Sequence, residues 1–240
     1  MRRWLLLAAI VPLAACSTKN NDQAFLDQVG SKSKEQIMAR GDELAAKKKW
    51  EEARKYYTFL ADTFPNDTLG RRAALKVADT FFSVGDTEGL TEAQLRYKDF
   101  SNRFPSDPNR AYALLMLAKC SYAQRKGPLR DLTPLREAAD SLKLVLQLFP
   151  NSTYAPEARN LLSKCTEDLA QHEYLIARYY ANIKAWVGAK QRLDYLYANY
   201  PDTATAKAAT PLMEEVRKRL GETETPTPAP KVPAPAMTEH

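Results

Sequence analysis

Residues 138–152 read AADSLKLVLQLFPNS, a striped apolar run closed by an aromatic, a proline and two small polar residues. The same closure recurs as Phe64-Pro65-Asn66-Asp67, Phe104-Pro105-Ser106-Asp107 and Tyr200-Pro201-Asp202-Thr203, so the four prolines stand 40, 45 and 51 residues apart. Twelve positions before each proline lies an alanine (Ala53, Ala93, Ala138, Ala189), and eight before it a large apolar residue (Tyr57, Tyr97, Leu142, Leu193). Residues four apart share one face of a helix. The alanine admits a neighbouring helix closely, and the large residue one turn later fills the space beside it. Proline then stops the helix, because it lacks an N–H and drives the residue before it out of the helical region. The Asn, Ser or Asp that follows is suited to cap the next helix.

This is the A-x-x-x-F…P half of the tetratricopeptide pattern, held in one register four times. In the first unit Gly41 stands twelve before Ala53, where that pattern places a glycine. Trp50, Ala53, Tyr57, Leu60 and Phe64 give one apolar stripe. A single helical hairpin cannot bury such a stripe alone, so the units must stack. The expected fold class is all-α: an α-solenoid of about five tetratricopeptide-like helical hairpins, with one long helix before the C-terminal repeat. The spacings exceed the usual repeat of about 34 residues, and the excess has a place to go. Gln124–Leu132 (QRKGPLRDL) reads as a long loop inside one repeat, followed by Thr133 as N-cap and Pro134 as first helical residue. No Gly or Pro occurs from Glu157 through Val187, which predicts one helix from Tyr154 to about Asn182, with Trp186–Tyr200 packing back on it. Thr203–Leu220 is expected as a terminal capping helix and 34–220 as the folded region. Residues 221–240, with five of the fifteen prolines and no apolar periodicity, are expected as a disordered tail.

The first fifteen residues read as a secretory signal. Arg2 and Arg3 precede a short apolar run, and Leu13-Ala14-Ala15 lead into Cys16. That ending resembles a bacterial lipobox, which predicts acylated Cys16 as the mature N-terminus, anchored in lipid, with residues 16–33 as a polar tether. No other segment has eighteen uninterrupted apolar residues, so the lipid is expected to be the whole membrane attachment. Ser17 in place of Asp fits the Gram-negative pattern that sorts to the outer membrane. Without the two arginines the formal net charge falls from +6 to +4. The charges are mixed along the helices, which argues against nucleic-acid binding.

No constellation carries chemistry. His172 and His240 are the only histidines, and there is no metal spacing, phosphate-cradling glycine loop or nucleophile elbow. Neither enzyme activity nor a cofactor is expected. Cys120 and Cys165 each lie sixteen residues after the aromatic of the preceding stop, a register that holds Thr80 and Val216 elsewhere. Neighbouring helices pack roughly 8–10 Å apart while a disulfide needs Cα atoms within about 7 Å. That favours two buried thiols, with a disulfide as the alternative.

Three blocks, HEYLIARYY (172–180), AWVGAKQRL (185–193) and YPDTATAKAATPLMEE (200–215), resemble the C-terminal half of the BamD family. LTPLREAADSLKLVLQLFPNSTYAPEA (132–158) is similar to its middle repeats. The resemblance runs from about Ser33 to Leu220. It implies a non-enzymatic, lipid-anchored scaffold on the periplasmic face of the outer membrane, within the β-barrel assembly machine. Its C-terminal repeats are then expected to bind the POTRA region of BamA, and its N-terminal repeats unfolded β-barrel precursors, with other lipoproteins of the machine as further partners. The alternatives are a repeat lipoprotein of a pilus or cell-wall coordination system, and a helical-solenoid cell-wall hydrolase; for the latter no sequence remains to build a closed catalytic domain.

Two sites follow. First helices line the concave face in this repeat class, and the register places Arg72, Lys76, Asp79, Tyr112, Met116 and Lys119 there as a groove for extended precursors. For the partner surface, Tyr174, Arg178 and Tyr179 share one edge of the long helix while Leu175 and Ile176 turn inward. Arg192 precedes the inward Leu193 and is expected to point outward, with Tyr195 nearby, so that reversing its charge weakens partner binding with little loss of stability.

Overall fold

The computed structural model describes residues 17–222. The signal segment, Cys16 and the proline-rich stretch from 223 onward lie outside these residues. The described chain is all-α and falls into two compact units divided between Ala73 and Ala74.

The first unit holds α1 (Ser17–Gly30), α2 (Lys34–Ala46), α3 (Trp50–Thr63) and the start of α4 (Thr68–Val84). Where the sequence suggests a polar tether, Ser17–Gly30 is helical. Phe25 sets its ring edge-on to Tyr56 at 5.1 Å and to Phe59 at 6.0 Å, and Val29 is buried. A complete capping box opens α2: Ser33 accepts the Gln36 N–H and Gln36 returns the bond. Helices α2 and α3 form the first hairpin through an αL residue, Lys48 at φ 57°. At Gly41, α2 lies close against Tyr57 of α3. A Cβ there would lie 2.6 Å from Tyr57 Cε1, and Tyr57 is fully buried with its hydroxyl donating to Asp42 at 2.6 Å. The ring therefore has no room to retreat. Gly41→Ala gains helix propensity but overpacks this contact. A net loss of about 1–2 kcal/mol is expected in urea denaturation, and a stabilised variant would refute the close-packing argument.

The second unit continues α4 and adds α5 (Thr87–Arg103), α6 (Arg110–Ala123), α7 (Thr133–Leu148), α8 (Ala155–Asn182), α9 (Trp186–Asn199), α10 (Ala204–Ala208) and α11 (Thr210–Leu220). Helix α6 packs on both α5 and α7, α7 also on α8, and α8 on α9. The hairpins α2–α3, α4–α5, α6–α7 and α8–α9 are tetratricopeptide-like repeats, and α10 and α11 close the C-terminal end by packing on α8 and α9.

The four stops share one geometry. Phe64, Phe104, Phe149 and Tyr200 close their helices with φ between −134° and −123° and ψ between 43° and 65°. Each still donates its own N–H to the carbonyl four residues back, and its carbonyl accepts the N–H three residues on, from Asp67, Asp107, Ser152 and Thr203. That is a β-turn with proline at its second position, the place its fixed φ suits. Asp67 and Thr203 then accept N–H groups of the following helix, Asp107 accepts the N–H of Asn109 just before α6, and α6 and α8 start without a side-chain cap. The four alanines and the four large residues of the register are all fully buried. So are Cys120 and Cys165, both free thiols, which burial pushes up to about 12 and about 11. Such thiols are unreactive packing groups.

Two helix boundaries differ from expectation. Thr133 is already helical, and the N–H it exposes is taken by Asp131 Oδ1 at 2.9 Å, so the carboxylate two residues earlier does the capping. The terminal helix is broken at Ala209, because Pro211 cannot supply the N–H that would continue α10 into α11. Short α10 is held from α8 instead. Glu167 accepts the N–H groups of Ala204 and Thr205 and the Thr205 hydroxyl at 2.6–2.9 Å. Burial alone would raise the Glu167 carboxyl, but these donors outweigh it and hold it below its ordinary value. Helix α11 ends in a Schellman motif, with Gly221 at φ 70° and the Glu222 N–H on Arg217 O.

Candidate functional site

The expected groove residues divide between the units. Arg72 is exposed on the part of α4 within the first unit; the other five belong to the second. Asp79 and Tyr112 do come together, but as a structural node. Asp79 Oδ1 accepts the hydroxyls of both Tyr97 and Tyr112 at 2.6 Å. The Tyr112 ring sits edge-on to Tyr97 at 6.2 Å and tilted on Tyr154 at 5.6 Å. Burial, and then the neighbouring carboxylate, push both hydroxyls far above the usual phenol range, so they remain donors at any physiological pH. Asp79 is thereby occupied and unsuited to receive a ligand.

Met116 does not face a groove. It is buried in the core, because α6 is covered by α5 on one side and α7 on the other. Lys76 is half-buried. Lys119 does face outward: its ammonium is 3.1 Å from Glu157 Oε1 and 5.9 Å from the centre of the Phe82 ring.

About one turn beyond Asp79 on α4, and about two to three turns beyond Tyr112 on α6, an open cleft of about 510 Å³ runs between the first helices α4, α6 and α8. Phe82, Tyr122, Pro156 and Leu161 give it apolar walls; Lys119, Lys164, Asn160 and Glu157 rim it. Of the expected groove only Lys119 lines this cleft. Phe82, Tyr122, Leu161 and Lys164 were not singled out from the sequence, although each lies on a first helix at a position facing the same side.

The expected partner surface is also partly rearranged. Tyr174 packs against the C-terminal core, Leu175 and Ile176 are half-buried, and Arg178 and Tyr179 are exposed. Tyr195 sets its ring against Tyr200 at 6.2 Å. Arg192 turns inward to the long helix: its Nη1 lies 3.2 Å from Glu173 Oε2, with side-chain exposures of 25% and 5%. The expectation that Arg192 points outward is therefore corrected, and since a buried carboxylate depends on it, charge reversal there is expected to cost stability.

Apolar side chains at the α8–α9 turn are left open to solvent. Tyr179 is 61% exposed, Ile183 55% and Val187 61%. The turn passes through Lys184 at φ 60°, which re-aims the chain so that α9 starts beside the end of α8. No local pattern announces this patch, since the residues after Asn182 leave the helical period.

Among the described residues no helix is long and apolar enough to cross a membrane. The family model described as outer membrane lipoprotein, YfiO, matches residues 31–231, past Leu220 and into the proline-rich stretch. The chain is 26% identical over 226 residues to the outer membrane protein assembly factor BamD of Haemophilus influenzae, covering 90% of this chain and 83% of the relative. To the protein of the same name from Neisseria meningitidis serogroup A it is 24% identical over 232 residues, covering 92% and 86%. A shorter match to the Vibrio cholerae protein is 33% identical over 95 residues, covering 40% and 39%. With its four-stop register, long α8 and a family match over residues 31–231, the chain belongs to the YfiO/BamD family of outer membrane lipoproteins.

Proposed function

We propose that this protein is an outer-membrane protein assembly factor, a non-enzymatic scaffold held at the periplasmic face of the outer membrane by acylated Cys16. Its C-terminal repeats bind the POTRA region of a BamA-like barrel subunit, and its N-terminal repeats receive unfolded β-barrel precursors. The relatives' shared name supports the assembly role. The observation that carries the docking half is the solvent-open cluster of Tyr179, Ile183 and Val187, with Arg178 beside it. Aromatic and arginine side chains around an apolar centre are the usual anchors of a protein interface. Arg192 serves this surface as a positioning residue, fixing α9 on α8 through Glu173, and Tyr195 lies on α9 as a further docking residue.

Ile183→Asp combined with Val187→Asp tests this directly. Both side chains are mostly in solvent, so the melting temperature is expected to stay within a degree or two. Co-purification of the POTRA-containing subunit from detergent-solubilised outer membrane is expected to fall at least tenfold, as loss of about 2 kcal/mol at a hot spot requires. Undiminished recovery would falsify the docking assignment. For the precursor half, the receiving surface is the cleft edged by Lys119, Tyr122 and Lys164, which extends from α4 and α6 onto the N-terminal half of α8; its aromatic walls and cations suit extended, aromatic-rich strands. A photocrosslinker at Lys164 is expected to capture barrel-precursor peptides more strongly than one at Asp140 on α7; equal labelling counts against it.

A further inference from the structure

The loop between α6 and α7 is built rigidly for a surface loop. Arg125 places its guanidinium 3.8 Å over the Tyr122 ring and 3.5 Å from Asp168, and its Nη1 donates to Tyr122 O. Gly127 at φ 48° turns the chain so that Arg130 N–H reaches Gly127 O at 3.2 Å. From α8, His172 Nδ1 bonds the carbonyl of Pro128, and Asp131 is engaged in capping α7. On this braced loop Leu129 is 66% exposed, the highest value of any large hydrophobic side chain among the described residues. Exposed Lys126 and Arg130 flank it.

Bracing of this kind removes the usual escape of an apolar side chain, which is to fold back onto its own surface. Leu129 is instead presented outward, between two cations.

We propose that this loop is a contact with an anionic phospholipid surface, separate from the lipid anchor and from both protein-binding surfaces. Leu129 enters the boundary between headgroups and acyl chains, and Lys126 and Arg130 lie against phosphates. Charge complementarity favours this partner, since each cation near an anionic bilayer strengthens association about fivefold. A single leucine also suits a bilayer better than a protein. A protein interface draws its affinity from a cluster of buried anchors, whereas a bilayer receives one apolar side chain anywhere on its surface. Membership in a family of outer membrane lipoproteins puts such a surface within reach.

The test uses the full protein, purified from membranes and reconstituted into vesicles of phosphatidylethanolamine and phosphatidylglycerol. A photoactivatable leucine analogue is placed at position 129, or at position 95 as the control, where Leu95 is 61% exposed on α5. Lipid adducts are expected at least fivefold more often at 129 than at 95. They are expected to fall at least fivefold with Lys126→Glu combined with Arg130→Glu, and in vesicles of phosphatidylcholine alone. Both substituted positions are exposed, and unchanged circular dichroism and melting confirm that the fold persists. Equal labelling at the two positions, or labelling indifferent to lipid charge, overturns the proposal. Adducts at 129 to protein in place of lipid, in membranes carrying the partner subunits, overturn it in favour of a protein contact.

Discussion

Arg192→Glu is expected to destabilise the C-terminal hairpin by about 3–5 kcal/mol, because it sets a second carboxylate against Glu173, which has almost no access to water. Arg192 keeps a quarter of its side chain exposed, so relaxation toward solvent places the loss nearer the lower figure. For a chain of this size that corresponds to a fall in melting temperature of roughly 2–4 °C per kcal/mol. A second variant separates the lost ion pair from lost packing. Arg192→Met combined with Glu173→Leu removes both charges while keeping the volume, and should recover most of the stability. If Arg192→Glu alone melts within a degree of the parent, the pair is not a stabilising contact. Loss of partner binding in Arg192→Glu, taken alone, reports on the fold of α8 and α9 and not on docking; Ile183 and Val187 report on docking.

Asp79→Ala should cost about 2–4 kcal/mol, since it strips the acceptor from two tyrosine hydroxyls at once. Tyr97 is fully buried and loses its bond outright, while half-buried Tyr112 recovers part of its loss by turning to water. Urea denaturation checks the figure, and a cycle checks the cause. In a background of Tyr97→Phe and Tyr112→Phe, the further change Asp79→Ala should cost much less, because no donor is left waiting. Equal costs in the two backgrounds would show that Asp79 acts through something other than these hydroxyls. Crosslinking of precursor peptides at Lys164 is expected to persist in Asp79→Asn, since the carboxylate faces the tyrosines and not the cleft.

These two residues mark the division between local and tertiary information. Everything that depends on spacing along one helix was legible in the sequence. The Phe-Pro or Tyr-Pro stop fixes a turn by covalent geometry alone, and the alanine and large residue before it fix the buried face, so all eight register positions proved fully buried. Most of the length of α8 was also legible, as no glycine or proline lies between Glu157 and Val187, although the helix itself ends at Asn182. Part of Met116 was legible too. Helix α6, RAYALLMLAKCSYA, is apolar on nearly every side, the mark of a helix covered by neighbours.

What the sequence did not contain is how two helices cross. Arg192 and Glu173 are nineteen residues apart on α9 and α8, and only the packing of Leu193 and Ala189 onto α8 brings the guanidinium to that carboxylate. Asp79, Tyr97 and Tyr112 sit on three helices, and a carboxylate that reads as a groove lining from its helical register becomes a core acceptor once α5 and α6 close over it. The exposed patch at Tyr179, Ile183 and Val187 depends on one left-handed residue, Lys184, which a helical period does not foresee. Backbone geometry and burial period are properties of neighbours in the chain, whereas the pairing of charges and the opening of surfaces are settled only when separate helices meet.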